Sequence, residues 1–162
     1  MLRIAINGYG RIGRCLVRAL FERELHQQIH ITAINDLGEQ STLAHLTRFD
    51  STFGRFPGQI NLQGDVLQVN GQSIQLLREP EVSNLPWRAH ALDLVLECSG
   101  KMKKRAQVEQ HLSAGAPRVL NGQPVNYGFM WWPQPSRAET FEDGAFRAGG
   151  IFGQYIYVNP AQ

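Results

Sequence analysis

An α/β fold with a doubly wound, mostly parallel sheet is what this sequence predicts, on three observations. Short apolar runs alternate with amphipathic stretches from the first residues onward. A glycine-spaced turn, Gly8-x-Gly10-x-x-Gly13, falls between the first apolar run and the first amphipathic one. An acidic residue, Asp36, closes the second apolar run. Strand, helix, strand, helix in that order implies parallel strands with helices on both faces.

Each element has its own signal. Leu2 to Asn7 reads as a buried strand. Arg11 to Glu24 reads as a helix whose apolar face is Ile12, Cys15, Leu16, Ala19 and Leu20, at steps of three and four. His30 to Asn35 is a second strand, and residues 39–49 form a second helix with Leu43, Leu46 and Phe49 on one face. Residues 58–77 are broken by Gly64-Asp65 and Asn70-Gly71. Asn-Gly between apolar runs marks a hairpin, so an antiparallel insertion is expected there. The sequence SNLPW, residues 83–87, reads as a turn. LDLVLECSG, residues 92–100, is a continuous apolar run of the kind buried on both faces. A helix over Lys103 to Ala114 stops near Gly115, and Arg118 opens another strand. The chain therefore divides into an α/β unit, residues 1–120, and an irregular C-terminal extension, residues 121–162. That extension holds nine of the fifteen aromatic residues, and Trp131, Trp132, Phe141, Phe146 and Tyr155 among them either cover the sheet, mark a partner surface or belong to a segment that never packs. IFGQYIYV within it reads as a strand.

Composition narrows the function. The formal net charge of +2 is too small to argue for nucleic acid, and the Lys101 to Arg105 run reads as a solvated helix start. Cys15 and Cys98 belong to no metal-ligating cluster, so no metal is expected. Isolated cysteines fit a reducing cytoplasm. No apolar stretch approaches the roughly 18 residues of a membrane span, and the start lacks a secretory pattern.

The glycine spacing has a physical reading in this context. Gly8 permits a tight turn, Gly10 lets backbone approach a pyrophosphate, and Gly13 lets helix and strand pack closely. The N–H groups at the start of the helix favour an anion. Asp36 lies about 20 residues further on, where an acid meets ribose hydroxyls and repels a 2′-phosphate. The pattern is that of a Rossmann-like dinucleotide site and favours NAD over NADP.

Longer motifs carry a closer resemblance. INGYGRIGR, AINDL, AHLTRFDSTFGRFPG, LREPEVSNLPW, LDLVLECSG and HLSAGAPRVL occur in this order. Together they resemble the NAD-binding half of glyceraldehyde-3-phosphate dehydrogenase and its relative erythrose-4-phosphate dehydrogenase, over roughly residues 1–120. The resemblance implies that Asn7, Arg11 and Ile12 surround the pyrophosphate and that Asn35 and Asp36 line the adenosine end. It implies that the Arg78 backbone lies near the adenine and that Ser99 and Gly100 lie beneath the cofactor. Where the family has Ser-Thr-Gly and then an aromatic residue near the adenine, this chain has Cys98-Ser99-Gly100 and then Lys101-Met102-Lys103.

The family's nucleophile sits in a Ser-Cys-Thr-Thr-Asn stretch, which this sequence lacks, as it lacks the substrate half. Cys15 and Cys98 read as small core residues, and His111 and His45 pair with no nucleophile in sequence. After Leu120 no family motif is recognisable, as a truncated or frame-changed gene would leave it. An NAD-binding module that catalyses nothing alone is the expected function. The alternatives are half of a split aldehyde dehydrogenase completed by a catalytic-domain chain, a regulatory partner of a full-length family enzyme, or a remnant without function. A homo-oligomer or association with a catalytic-domain chain is the expected protein partnership, and an unpaired sheet edge is expected where the substrate half would continue.

Overall fold

The computed structural model describes residues 1–121 in full and, beyond them, the backbone of three short strands. The elements in chain order are β1 (Leu2–Asn7), α1 (Arg11–Glu22), β2 (Ile29–Asn35), α2 (Gln40–Arg48), β3 (Phe49–Asp50), β4 (Gly54–Arg55), β5 (Ile60–Gln63), β6 (Val66–Val69), β7 (Gln72–Leu77), β8 (Leu94–Glu97), α3 (Arg105–Ser113), β9 (Arg118–Asn121), β10 (Glu139–Thr140), β11 (Phe146–Gly149) and β12 (Tyr155–Val158). Short 3₁₀ turns at Leu25–Gln27, Val82–Asn84 and Trp87–His90 complete them.

One sheet runs β10-β11-β12-β9-β8-β1-β2-β7-β6-β5. Its centre, β9-β8-β1-β2-β7, is parallel, and antiparallel strands extend both sides. Side chains alternate between two cores. Ile4, Ile6, Ile31 and Ile34 meet Val17, Leu20 and Phe21 of α1 and Leu43 of α2 on one face. Ala5, Ala33 and Val95 meet Trp87 and Val108 of α3 on the other. Ala5 and Ala33 are directly paired, and their small side chains leave room for the fully buried Trp87. Between Ile4 and Ala5 the register slips, and the bulged Thr32 donates its hydroxyl to the Ile4 carbonyl at 3.1 Å.

Two predicted helix faces are corrected. In α1 the buried positions are Gly13, Val17, Arg18, Leu20 and Phe21. Ile12 is 52% exposed, Leu16 is 39% exposed, and Cys15 and Ala19 are half-buried. The reason is Gly13: a Cβ there would stand 2.4 Å from the Gly8 carbonyl oxygen. That face must turn inward, which carries Val17 in and Ile12 out. Arg18 is buried because its guanidinium donates to the carbonyls of Phe53, Gly54 and Arg55 and to Glu22. In α2 the buried positions are Leu43, Ala44 and Thr47. Phe49 has extended backbone and leaves the helical period, so it is exposed.

The hairpin at Asn70-Gly71 has positive φ at both residues (47° and 82°), the conformation a two-residue hairpin turn requires. The ribbon is not a separate appendage, because β7 also pairs in parallel with β2. At the opposite side the expected open edge is absent, since β12 pairs antiparallel with β9 from Tyr155↔Asn121 to Val158↔Arg118. The strand predicted over residues 151–158 is described only for its second half. Packing roles for Trp131, Trp132 and Phe141 lie outside the described residues, and only backbone is described for Phe146 and Tyr155. No described helix is long and apolar enough to cross a membrane.

The helix correction has a measurable consequence. Phe21→Ala should cost about 3–5 kcal/mol in urea unfolding, whereas Ile12→Ala should cost no more than about 0.5 kcal/mol. The reverse ranking would restore the predicted face.

Candidate functional site

A cleft of about 230 Å³ opens where the carboxyl ends of β1, β2 and β8 meet. Here the chain runs from β1 to β2 on one side and later places β8 on the other. Such a switch in strand order leaves a crevice in an open α/β sheet. Among the predicted residues, Asn7, Gly8, Gly10, Asn35, Asp36 and Ser99 line the cleft. Leu37, Glu79, Pro80, Val82, Cys98, Lys101 and Met102 line it as well.

The three glycines are required for three different reasons. Gly8 has φ 91°, and a Cβ on it would meet Ser99 backbone at 2.4 Å. It therefore serves as both a turn and a crossing point of two chain segments. Gly13 packs the helix against the Gly8 carbonyl. A Cβ at Gly10 would meet nothing within 4 Å; it would project into open space. Gly10 is also the N-cap of α1, with no side chain capping the helix and no acid in its first turn. The free N–H groups there suit an anion.

Asp36 is tied to this turn. Its carboxylate accepts the Tyr9 N–H at 2.7 Å and the Gly38 N–H at 2.8 Å. It keeps further acceptor capacity, since an ionised carboxylate has about four lone-pair sites. Tyr9 itself is fully buried, and its hydroxyl meets Thr47 of α2 at 3.0 Å. Burial pushes the Tyr9 phenol well up, so it stays protonated.

The remaining predicted residues stand around the cleft without lining it. The Arg11 side chain turns away to Asp50 at 2.8 Å, leaving only its backbone at the helix start. Ile12 is exposed. The Arg78 guanidinium donates to the Leu37 carbonyl at 3.2 Å, bracing the segment after Asp36. Gly100 has φ 73° just beyond Ser99. Opposite Leu37 and Pro80, where the resemblance implied an aromatic ring, stand Lys101 and the buried Met102.

Beneath the cleft lies a group the sequence reading missed. Glu97 is 1% exposed at the end of β8, and its carboxylate is fully engaged. One oxygen accepts Asn7 Nδ2 at 2.6 Å and His111 Nε2 at 2.8 Å. The other accepts the Ser99 N–H at 2.7 Å and the Ser99 hydroxyl. His111 is fully buried on α3, and its Nδ1 accepts the Trp87 indole N–H at 2.9 Å. Burial raises the Glu97 carboxyl, but the hydrogen bonds from His111, Ser99 and Asn7 together outweigh it and hold Glu97 below its ordinary value. The available signal was a charge inside an otherwise apolar run, LDLVLECSG, because a buried charge needs partners. Cys98, next to it, is pushed up to about 12 by burial and by Glu97, the opposite of what a nucleophilic thiol needs. Cys15 is half-buried on α1.

Comparison with known proteins identifies the relatives of this chain. A family model described as "Glyceraldehyde 3-phosphate dehydrogenase, NAD binding domain" matches residues 2–105. The chromosomal glyceraldehyde-3-phosphate dehydrogenase of Cupriavidus necator is 43% identical over 123 residues, 76% of this chain and 37% of that protein. The plasmid-borne enzyme of the same organism is 42% identical over the same shares. The chain thus spans little more than a third of the length of these curated relatives.

Two measurements test the site as a built object. Gly8→Ala should lower stability by at least about 1–3 kcal/mol through its positive φ and the Ser99 collision, while Gly10→Ala should unfold within about 0.5 kcal/mol of wild type. Glu97 titrates lower folded than unfolded, so its contribution is present above the ordinary carboxylate range and lost as pH falls through its depressed folded value. Stability measured from pH 7 down to pH 3 should therefore fall less steeply in Glu97→Gln than in wild type.

Proposed function

The chain belongs to the glyceraldehyde-3-phosphate dehydrogenase family through its NAD-binding domain, and on that premise we propose that it binds NAD in this cleft and catalyses no reaction by itself. The observation that carries the reading is the pairing of an open helix start at Gly10 with the Asp36 carboxylate across one crevice. Gly8 and Gly10 would receive the pyrophosphate, with the N–H groups of Arg11, Ile12 and Gly13 as its donors and Asn7 beside them at the end of β1. Asp36, beside Asn35, takes the adenosine ribose hydroxyls and repels a 2′-phosphate, which selects NAD over NADP. Leu37, Pro80 and Met102, with Arg78 nearby, would hold the adenine. A thioether there replaces a ring as the apolar wall. Ser99 lines the floor, with Gly100 just beyond it. A nicotinamide supplies hydride transfer when bound. This chain's residues would hold and orient the dinucleotide, and the thiol that lines the cleft, Cys98, is kept protonated by burial and by Glu97, while Cys15 lies half-buried on α1. A cytoplasmic location suits two free cysteines.

A second reading has its own observation. Ile12 and Leu16 of α1 are exposed, and Leu94, Leu96 and Cys98 of the β8 region, which pack against the core on the α1 face of the sheet, are only half-buried. An apolar surface of this kind fits a covering element from a catalytic-domain chain, which would complete an aldehyde oxidoreductase in two parts. Co-expression with a catalytic-domain fragment of a relative tests it. Co-purification with activity on glyceraldehyde 3-phosphate supports it, and purification as separate inactive chains overturns it.

Calorimetric titration tests the first reading. NAD should bind, NADP should bind at least about tenfold more weakly, and Asp36→Ala should weaken NAD and narrow that difference. Gly10→Ala, stable by the measurement above, should lose NAD binding by about tenfold or more. A folded wild-type chain that binds no NAD would overturn the proposal, as would aldehyde oxidation well above that of a Cys15→Ser/Cys98→Ser variant.

A further inference from the structure

We propose that Glu97 is the positioning residue of the cofactor cleft. Its buried carboxylate orients Asn7 and Ser99, and His111, held in one tautomer by Trp87, orients Glu97 in turn. The proposal rests on the reading that the cleft binds NAD.

The hydrogen bonds around Glu97 fix the protons of its neighbours. An indole N–H is only a donor, so His111 Nδ1 must accept it and carries no proton. The ring is then neutral with its proton on Nε2, which donates to Glu97. Three N–H donors and the Ser99 hydroxyl converge on the Glu97 oxygens, so a carboxylate is satisfied there without a proton of its own. Glu97 is therefore an ionised carboxylate with no cation among the groups bonded to it, and its charge is stabilised by donors alone.

From that anion the orientation spreads across the sheet. A carboxylate only accepts, so Asn7 must turn its NH₂ toward Glu97 and its carbonyl oxygen toward Asn35 Nδ2, at 2.8 Å. Asn35 is fixed independently from the far side, because its Oδ1 accepts the Glu79 N–H at 2.9 Å and its Nδ2 donates to the Glu79 carbonyl. Donors thus converge on Glu97 from both sides, Trp87 through His111 on one and Asn35 through Asn7 on the other, and the chain crosses the floor of the cleft. Two consequences reach the ligand. Asn7 Nδ2 has a second hydrogen to offer an acceptor. Ser99, with its hydroxyl hydrogen committed to Glu97 and one lone pair accepting the Lys101 N–H at 3.2 Å, keeps one lone pair and suits a donor such as a ribose hydroxyl rather than a phosphate oxygen.

The test combines NAD titration with NMR of the cofactor-free protein. Glu97→Gln keeps the volume but sets an amide against converging donors. It should weaken NAD about tenfold, and by less than about threefold when Asn7 is already alanine, because its effect passes through that residue. His111→Leu should weaken NAD comparably. His111→Gln, whose amide can replace the Nε2 donor, should recover most of the loss. This pair carries the test if Glu97→Gln does not fold. Without cofactor, the Asn7 side-chain amide and Ser99 backbone amide signals should shift in Glu97→Gln and His111→Leu and return toward wild type in His111→Gln. NAD binding by Glu97→Gln within about twofold of wild type, full additivity with Asn7→Ala, or no rescue by His111→Gln would overturn the proposal. Should wild type bind no NAD, the binding reading fails, and the signals decide this proposal separately: shifted, it stands as orientation of the cleft; unmoved, it falls.

Discussion

The close crossing at Gly8 is the constraint on which the rest of this domain depends. Three backbone segments converge there: the end of β1, the first turn of α1 and the segment leaving β8. Side chains are excluded from Gly8 by Ser99 and from Gly13 by the Gly8 carbonyl. The contact sets the rotation of α1, and with it which residues enter the core. It also brings the Asp36 carboxylate within reach of Tyr9 N–H, because β1 and β2 are in register at Asn7 and Asn35. The free α1 N-terminus and the position of the Asp36 carboxylate are thus consequences of one packing event.

Electrostatics at the site follow from the same geometry. A cleft suited to a pyrophosphate has an anion, Glu97, buried under its floor. The arrangement is tolerable because the carboxylate is surrounded by donors from β1, α3 and its own following turn. A desolvated charge with partners is compatible with folding, whereas the same charge with one partner removed is costly. The same burial raises the Cys98 thiol, so the position next to the cleft floor is chemically quiet. Binding and reactivity are separated here: the residues that approach the cleft orient and accept, and the thiol nearest it is held protonated.

The sheet shows how such a domain manages its borders. On one side the β5–β7 ribbon continues the parallel centre with antiparallel strands. On the other, β12 takes the edge of β9. Parallel strands need both faces covered, and here the β8 region is only half covered on the α1 side, where Ile12 and Leu16 also face outward.

The sequence by itself determined the order of strands and helices, the glycine turn, the acid at the end of the second strand and the hairpin at Asn70-Gly71. These are local: each depends on residue types a few positions apart, through backbone freedom, period and turn chemistry. Only the tertiary structure decided which stripe of α1 is buried, because two overlapping stripes share nearly the same period and the Gly13–Gly8 contact chooses between them. Only it showed that Arg11 points to Asp50 and Arg78 to Leu37, since a long side chain's direction depends on partners distant in sequence. The Glu97–His111–Trp87 chain was invisible for the same reason. Its members lie on β8, α3 and a 3₁₀ turn, and hydrogen bonding between them exists only once the sheet and helix have packed.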